Sequence, residues 1–172
     1  MSLAQGSINK QKRHGGSTLI EILASLLIVS FGMLSIAGLQ TVALKNNQSA
    51  YYRTQATMFA SDMVERMRAN IEGVENSAYD DVAGLATANC FLVAGCTGVQ
   101  MGAQDVLDWE AAVSGSLPGG DAVVCVDSSF DDGTAALKAC DGAGAVYAIK
   151  IWWDDNRDGV ANQRLVLSFQ PL

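Results

Sequence analysis

The stretch that decides the fold is GGSTLIEILASLLIVSFGMLSIAGL, Gly15 to Leu39. It is long and apolar enough to cross a bilayer, since a spanning helix needs about 20 apolar residues. One carboxylate, Glu21, interrupts it near its start, and no other charged residue stands between Ser17 and Leu44. A charge at membrane depth costs several kcal/mol, so Glu21 needs a function that a neutral residue would not supply.

The apolar run continues into a second kind of helix. Residues 45–72 become amphipathic, with apolar side chains every three or four positions and charged ones on the opposite face. Asp62 and Arg66 have the spacing of a helical ion pair. Because no proline interrupts Thr18 to Glu72, we expect one long helix that Gly73 ends. Its apolar stripe comprises Tyr52, Ala56, Phe59, Met63, Met67 and Ile71.

Residues 73–172 predict a small α/β head. A short helix is indicated around Gln104 to Val113, and strands at Ala122 to Val126, Val146 to Trp153 and Gln163 to Phe169. The strands predict an antiparallel sheet whose apolar face the 45–72 stripe covers, so the fold class is α+β. Trp152 and Trp153 alternate along their strand, which predicts one in the core and the other available for contact.

Charge and composition exclude several function classes. Residues 73–172 carry fourteen acidic against four basic residues, a net charge of −10, which repels nucleic-acid phosphates. His14 is the only histidine and lies in the basic segment 1–16. If that segment is removed, no imidazole remains for a catalytic triad or a histidine metal site. We therefore expect neither an enzyme nor a cofactor.

The four cysteines all follow the apolar run, where an exported domain meets an oxidising compartment. Their spacing does not match zinc sites, so we expect disulfides. Three pairings are possible, and we prefer the one in which each bond closes a short glycine-containing loop. That pairing joins Cys90 to Cys96 and Cys125 to Cys140.

An acidic turn separates the last two predicted strands. Asp154, Asn156, Asp158 and Gly159 reproduce the opening of a calcium loop. The twelfth position, where a calcium loop needs a bidentate Glu, is Leu165, and no helices flank the motif. We interpret it as a solvated turn and assign no metal.

Three interpretations of Glu21 compete. It could stabilise the start of a plain membrane anchor by about 0.3–1 kcal/mol. Residues 1 to about 37 could instead form an ordinary secretory signal, since Ser35-Ile36-Ala37 has cleavage-like spacing. In that case the chain would be a secreted binding domain.

The third interpretation rests on a resemblance. The chain begins with a basic leader that ends in Gly16, followed by Ser17-Thr18-Leu19-Ile20-Glu21 and an unbroken apolar helix. This order resembles the class III signal of type IV pilins. The resemblance implies that a prepilin peptidase cuts after Gly16, removes leader 1–16 and retains the helix. Ser17, where the family usually has phenylalanine, becomes a methylated N-terminus, and Glu21 is the family's assembly acid.

Two longer segments narrow the resemblance. Both are similar to segments of minor pilins called PilV, or type IV pilus modification proteins. The segments are LIEILASLLIVSFGMLSIAGLQ, Leu19 to Gln40, and QATMFASDMVERMRAN, Gln55 to Asn70. This implies a subunit that initiates pilus assembly with other minor pilins, at the fibre tip, for twitching motility and adhesion. The implied partners are other minor pilins, the major pilin, prepilin peptidase, an inner-membrane assembly platform and a tip adhesin.

The same resemblance implies a location and leaves a rival. Residues 17–44 would cross the inner membrane once with the head in the periplasm, and the assembled protein would lie in the extracellular fibre. A minor pseudopilin of a type II secretion system shares the signal and the long helix. The Gln55 to Asn70 segment favours the pilus.

Overall fold

The computed structural model describes Gly16 and residues 18–81 and 88–171. Within these ranges lie three α-helices, a short 3-10 turn and three strands. The helices are α1, Leu19–Ala69, α2, Ile71–Glu75, and α3, Gly98–Ser116. The 3-10 turn is Ala88–Phe91, and the strands are β1, Asp121–Val126, β2, Tyr147–Trp153, and β3, Gln163–Phe169. The fold is α+β, as predicted.

The chain divides into two compact units, residues 1–45 and 46–172. The first contains the apolar part of α1. The second contains the amphipathic part of α1, the other helices and the sheet.

Helix α1 ends at Ala69, three residues before the expected end at Glu72. Asn70 leaves the helical conformation, with φ −123° and ψ 65°, and its side chain accepts a hydrogen bond from the Gly73 N–H. Asn70 thus caps a new helix, α2, which the sequence pattern had merged with α1. Gly73 lies inside α2 and does not end α1.

The three strands form one antiparallel sheet in the order β1-β2-β3, so β2 is central. Its first face carries Tyr147, Ile149, Ile151 and Trp153, which belong to the main core together with buried residues of α1 and α3. Trp109 of α3 is fully buried there and donates its indole N–H to the Phe59 carbonyl of α1 at 2.9 Å. The predicted stripe therefore covers the sheet jointly with α3.

Two expectations about this core were incomplete. Helix α3 is longer than the Gln104 to Val113 prediction, because Thr97 and Gln100 form a reciprocal capping box that starts it at Gly98. Ile71, assigned to the buried stripe, is 46 % exposed because it lies in α2, beyond the break at Asn70.

The second face of the sheet is covered too. Val123, Cys125 and Trp152 form a smaller cluster there, packed against Ala135 and Cys140 of the segment that follows β1. Trp152 and Trp153 are therefore both buried, at 2 % and 1 % exposure. The expectation that one of them would be free for contact was wrong, because the 127–142 segment folds over the face that was expected to meet solvent.

Candidate functional site

The N-terminal unit places Glu21 in the first turn of α1. The Glu21 N–H donates to the Thr18 carbonyl at 3.0 Å, and its own carbonyl accepts from the Ser25 hydroxyl at 2.8 Å. The Glu21 side chain is exposed, as is Gly16. Ser17 and the leader residues 1–15 lie outside the described residues. The carboxylate thus lies on the surface of this unit, where another chain can reach it.

Apolar side chains surround that carboxylate on all sides of the helix. Every large apolar residue from Leu19 to Leu44 is at least 49 % exposed, and α1 contains a segment long and apolar enough to cross a membrane. Ile22, Leu26 and Val29 line a shallow groove beside Glu21. An exposed apolar surface of this extent is typical of segments that contact lipid or other proteins.

In the second unit, the three methionines of the Gln55 to Asn70 segment differ in burial. Met63 and Met67 are fully buried, whereas Met58 is 60 % exposed on the other side of the helix. The two buried methionines pack in the main core. Met63 and Met67 therefore serve the internal packing of the head, and of these three methionines Met58 alone faces outward.

Polar residues of the same segment join α1 to α3. Arg66 donates to Asp62 at 2.8 Å, the predicted pair, and to Asp105 of α3 at 3.1 Å. Tyr79 donates its hydroxyl to Asp105 at 2.7 Å and accepts from the Asn70 amide at 3.0 Å. Burial raises the pKa of Tyr79, and the hydrogen bond to the Asp105 carboxylate raises it further, so its hydroxyl stays a donor.

The helix junction is also close-packed. The Asn70 amide donates to the Gly98 carbonyl at 2.7 Å. A Cβ on Gly73 would lie 2.9 Å from that carbonyl oxygen, and a Cβ on Gly98 would lie 2.7 Å from the Asn70 side-chain oxygen. A side chain at either position would therefore collide with the Asn70 side chain or with the hydrogen-bonded carbonyl, and glycine leaves room for both.

The acidic turn between β2 and β3 is joined to α1 by a hydrogen bond. Asp154 is 5 % exposed, and its two carboxylate oxygens accept from the N–H groups of Asp158 and Gly159 at 3.2 and 2.7 Å. The Asn156 amide donates to Asp158 at 2.8 Å. Arg157, at the tip of the turn, donates to the Tyr52 hydroxyl at 2.6 Å. Among the described residues there is no group of three potential metal-ligating acids, cysteines or histidines.

The four cysteines are paired in the structure. Cys90 is bonded to Cys96 and Cys125 to Cys140, which is the pairing preferred from loop length. The second bond closes the 127–142 segment onto the second face of the sheet. The first closes a small loop whose apolar residues Phe91, Leu92 and Val93 are exposed.

Sequence reasoning missed a buried charge cluster beneath that segment. Lys150, in the centre of β2, is fully buried, and its ammonium contacts Asp127 at 2.5 Å and Asp132 at 2.9 Å. The signal was a single lysine among apolar residues in YAIKIWW, Tyr147 to Trp153. A central lysine in such a strand indicates acidic partners covering that face.

Residues 38–107 match a family model described as Tt1218-like, type IV pilin Tt1218. The chain is similar to type IV pilins. Comparison with curated proteins and with solved structures gives no match. The long N-terminal helix followed by a small antiparallel sheet is a type IV pilin-like fold.

The matched range, less than half of the chain, coincides with one structural feature. It contains Arg66, Asn70, Tyr79, Gly98 and Asp105, the residues that join α1 to α3. It does not include Glu21 or the strands.

Proposed function

We propose that this chain is a minor pilin of the type IV pilus, similar to PilV. Prepilin peptidase cuts it after Gly16, and Ser17 becomes the methylated N-terminus. Residues 17–44 form the membrane and assembly helix, residues 45–72 its amphipathic continuation, and residues 73–172 the head. The match of residues 38–107 to a type IV pilin family model supports a pilin role.

The observation that carries the proposal is the exposed carboxylate of Glu21 in the first turn of an exposed apolar helix. Cleavage before Ser17 creates an α-ammonium close to this acid in sequence. When apolar helices pack side by side, the carboxylate of one subunit pairs with the ammonium of its neighbour. An unpaired charge in that dry environment costs about 3–5 kcal/mol, so pairing fixes the axial register of the helices. Methylation preserves the positive charge of the amine.

The chain then acts by assembly. Before assembly it is held in the inner membrane by the apolar helix, with the head in the periplasm. On the assembly platform it joins other minor pilins to initiate a fibre of the major pilin, and it lies at the tip, where a large adhesin is displayed. The acidic head, with a net charge of −10 over residues 73–172, is compatible with protein partners and not with nucleic acid.

The proposal is tested by changing the acid alone. Glu21→Gln removes the charge at nearly constant size, and we expect it to lower the amount of this subunit in sheared fibres by about tenfold or more, given the cost of an unpaired ammonium. Glu21→Asp, which keeps the charge, should retain part of the incorporation. Ser30→Ala, also exposed on the apolar helix, is the matched control and should behave as wild type.

Mass spectrometry of the native N-terminus completes the test. We expect a mature chain that begins at Ser17 and carries a methyl group. Undiminished incorporation of Glu21→Gln contradicts the pairing. A mature chain that begins near Gly38 contradicts the whole proposal and identifies a conventional secretory signal.

A further inference from the structure

The cluster around Lys150 holds an amine and a carboxylate in direct contact beneath the surface of the head. Lys150 Nζ lies 2.5 Å from Asp127 Oδ2, and both side chains are fully buried. The amine also contacts Asp132 at 2.9 Å and the carbonyls of Lys138 and Ala139 at 3.1 and 3.2 Å. In every other described ion pair at least one of the two side chains is partly exposed. The Lys150–Asp127 pair is the one in which both are fully buried.

The Lys150 ammonium and the Asp127 carboxylate can exchange a proton within the site. Desolvation alone would lower the pKa of Lys150, and the hydrogen bonds with Asp127 and Asp132 raise it, so the resting state is an ion pair. Moving one proton from the ammonium to Asp127 converts the pair into an amine and a carboxylic acid. No net charge leaves the site, and the desolvation cost of two buried ions is removed.

A backbone hydrogen bond polarises the Asp127 carboxyl group towards attack at its carbon. Asp127 Oδ1 accepts a hydrogen bond from the Ser129 backbone N–H at 3.1 Å, which places a donor where negative charge develops if the carboxyl carbon is attacked. The Ser129 hydroxyl donates to Asp132 Oδ2 at 2.9 Å. The other oxygen of Asp132 contacts the lysine amine, so Asp132 can accept its proton.

We propose that Lys150 and Asp127 condense into an intramolecular amide bond. The Nζ lone pair attacks Asp127 Cγ, the Nζ–Cγ bond forms and the Cγ–Oδ2 bond breaks. Oδ2 leaves as water, taking two protons from the original ammonium, one of them relayed by Asp132. No oxidant, reductant or co-reactant is required. The product joins the segment after β1 to the centre of β2 and, unlike the nearby Cys125–Cys140 bond, resists reduction.

The proposal is independent of the assembly function, and the full-length chain in detergent tests it directly. After thiol reduction and denaturation, we expect an intact mass lower by one water molecule than the sequence of the mature chain requires. Trypsin should fail to cut after Lys150 while cutting normally after Lys138 and Arg157. Peptides 69–138 and 139–157 should be recovered joined through Asp127 and Lys150.

Two variants separate the bond from a plain ion pair. Lys150→Arg keeps the charge beside Asp127 but lacks the nucleophilic amine, so it should have the full mass. Asp132→Asn keeps both reacting groups and removes the proton acceptor, so water loss during refolding should slow by about a hundredfold. Asp131→Asn, the matched control, changes an exposed neighbour that pairs with Arg164 and should lose water at the wild-type rate.

Either of two results overturns the proposal. A folded wild-type chain of full mass with normal cleavage after Lys150 shows that the contact is only an ion pair. Water loss that maps to Asp132-Gly133, Asp141-Gly142 or Asp158-Gly159 and reverses in mild base shows a succinimide instead. An amide survives that treatment.

Discussion

Met58 and Met67 belong to the same helix and differ in what surrounds them. Met67 is fully buried in the core beneath the sheet, and Met58 is 60 % exposed. Met67→Ala should lower the free energy of unfolding by about 2–5 kcal/mol, because it leaves a cavity. Met58→Ala, the matched control, should change it by less than about 0.5 kcal/mol. Denaturant unfolding of the detergent-solubilised chain, followed by tryptophan fluorescence, measures both.

Equal effects of the two substitutions would contradict this account of the segment. A Met67→Ala chain of wild-type stability that failed to bind partners would assign the buried methionines to an interface instead of the core.

Asp141 makes the 127–142 segment sensitive to acid. The Ser128 side-chain hydroxyl and the backbone N–H groups of Ala143 and Ser128 donate to this carboxylate and lower its pKa from 3.8 to about 2. Because the pKa of Asp141 is lower in the folded than in the unfolded chain, its carboxylate stabilises the fold fully at a pH above the unfolded pKa. This contribution is lost as the pH falls through the folded pKa. The melting temperature should therefore fall between about pH 4 and pH 2.

Two substitutions check the cause of that fall. Asp141→Asn should flatten this part of the pH profile, and Ser128→Ala should reduce it, since the hydroxyl bond is the largest contribution. A profile that neither substitution alters would show that Asp141 is not responsible.

At the level of single residues, the sequence predicted the burial of side chains that follow a helical or strand period. The stripe from Tyr52 to Met67 and the inward residues of β2 follow helical and strand periods, so their burial could be predicted. Trp152 and Lys150 share the other face of β2, and their burial depends on a segment without periodicity of its own. No pattern within β2 shows that the 127–142 segment returns to cover it.

At the level of elements, the two disulfides close loops of different kinds. The Cys125–Cys140 bond joins β1 to a segment that packs on the sheet, with a sequence separation of 15, and the Cys90–Cys96 bond closes an exposed loop with a separation of 6. By chain entropy alone the longer loop stabilises the fold by about 3 kcal/mol and the shorter by about 2 kcal/mol. The paired Cys125→Ser and Cys140→Ser substitutions should therefore lower the melting temperature more than Cys90→Ser with Cys96→Ser.

Thermal melts of the two double variants, with and without reductant, measure this order. In the wild-type chain, reductant should lower the melting temperature by at least as much as the more harmful pair of substitutions. The reverse order, or no effect of Cys125→Ser with Cys140→Ser, would show that the segment is held on the sheet by its other contacts.

The turn between β2 and β3 uses its acidic residues internally. Both oxygens of Asp154 accept backbone N–H groups, and Asn156 bonds to Asp158. Calcium would have to displace these hydrogen bonds, so titration of the full-length chain should release no heat and leave the melting temperature unchanged. A rise in melting temperature with calcium that Asp158→Asn abolishes would make the turn a metal site.

The helices and strands could be predicted where the residue composition changes sharply along the chain. Glycine and acidic turns bound the strands, and the amphipathic pattern defines the second part of α1. The end of α1 could not be predicted, because it depends on Asn70 bonding to Gly73 and to Gly98, which is distant in sequence. Long-range hydrogen bonds of this kind leave no local pattern.

At the level of the whole molecule, the two units have opposite surface character. Residues 19–44 expose apolar side chains around one carboxylate, and residues 46–172 form a packed acidic head. The assembly role proposed for Glu21 gives this carboxylate amid exposed apolar residues a partner on a neighbouring chain. The match to a type IV pilin family model covers residues 38–107, so it supports a pilin role from a part of the sequence that does not include Glu21.

Deletion of the chain separates a pilus subunit from a secretion pseudopilin. If it initiates pilus assembly, a deletion strain should lose most surface fibres and its twitching motility, while secretion of exoproteins continues at the wild-type level. Expression of the wild-type chain should restore fibres, whereas the Glu21→Gln chain should not, because an unpaired amine in the helix bundle costs about 3–5 kcal/mol. Electron microscopy of fibres and an assay of secreted protein measure both arms. Normal piliation with failed secretion would assign the chain to the secretion system, where the same pairing of acid and amine would serve a different fibre.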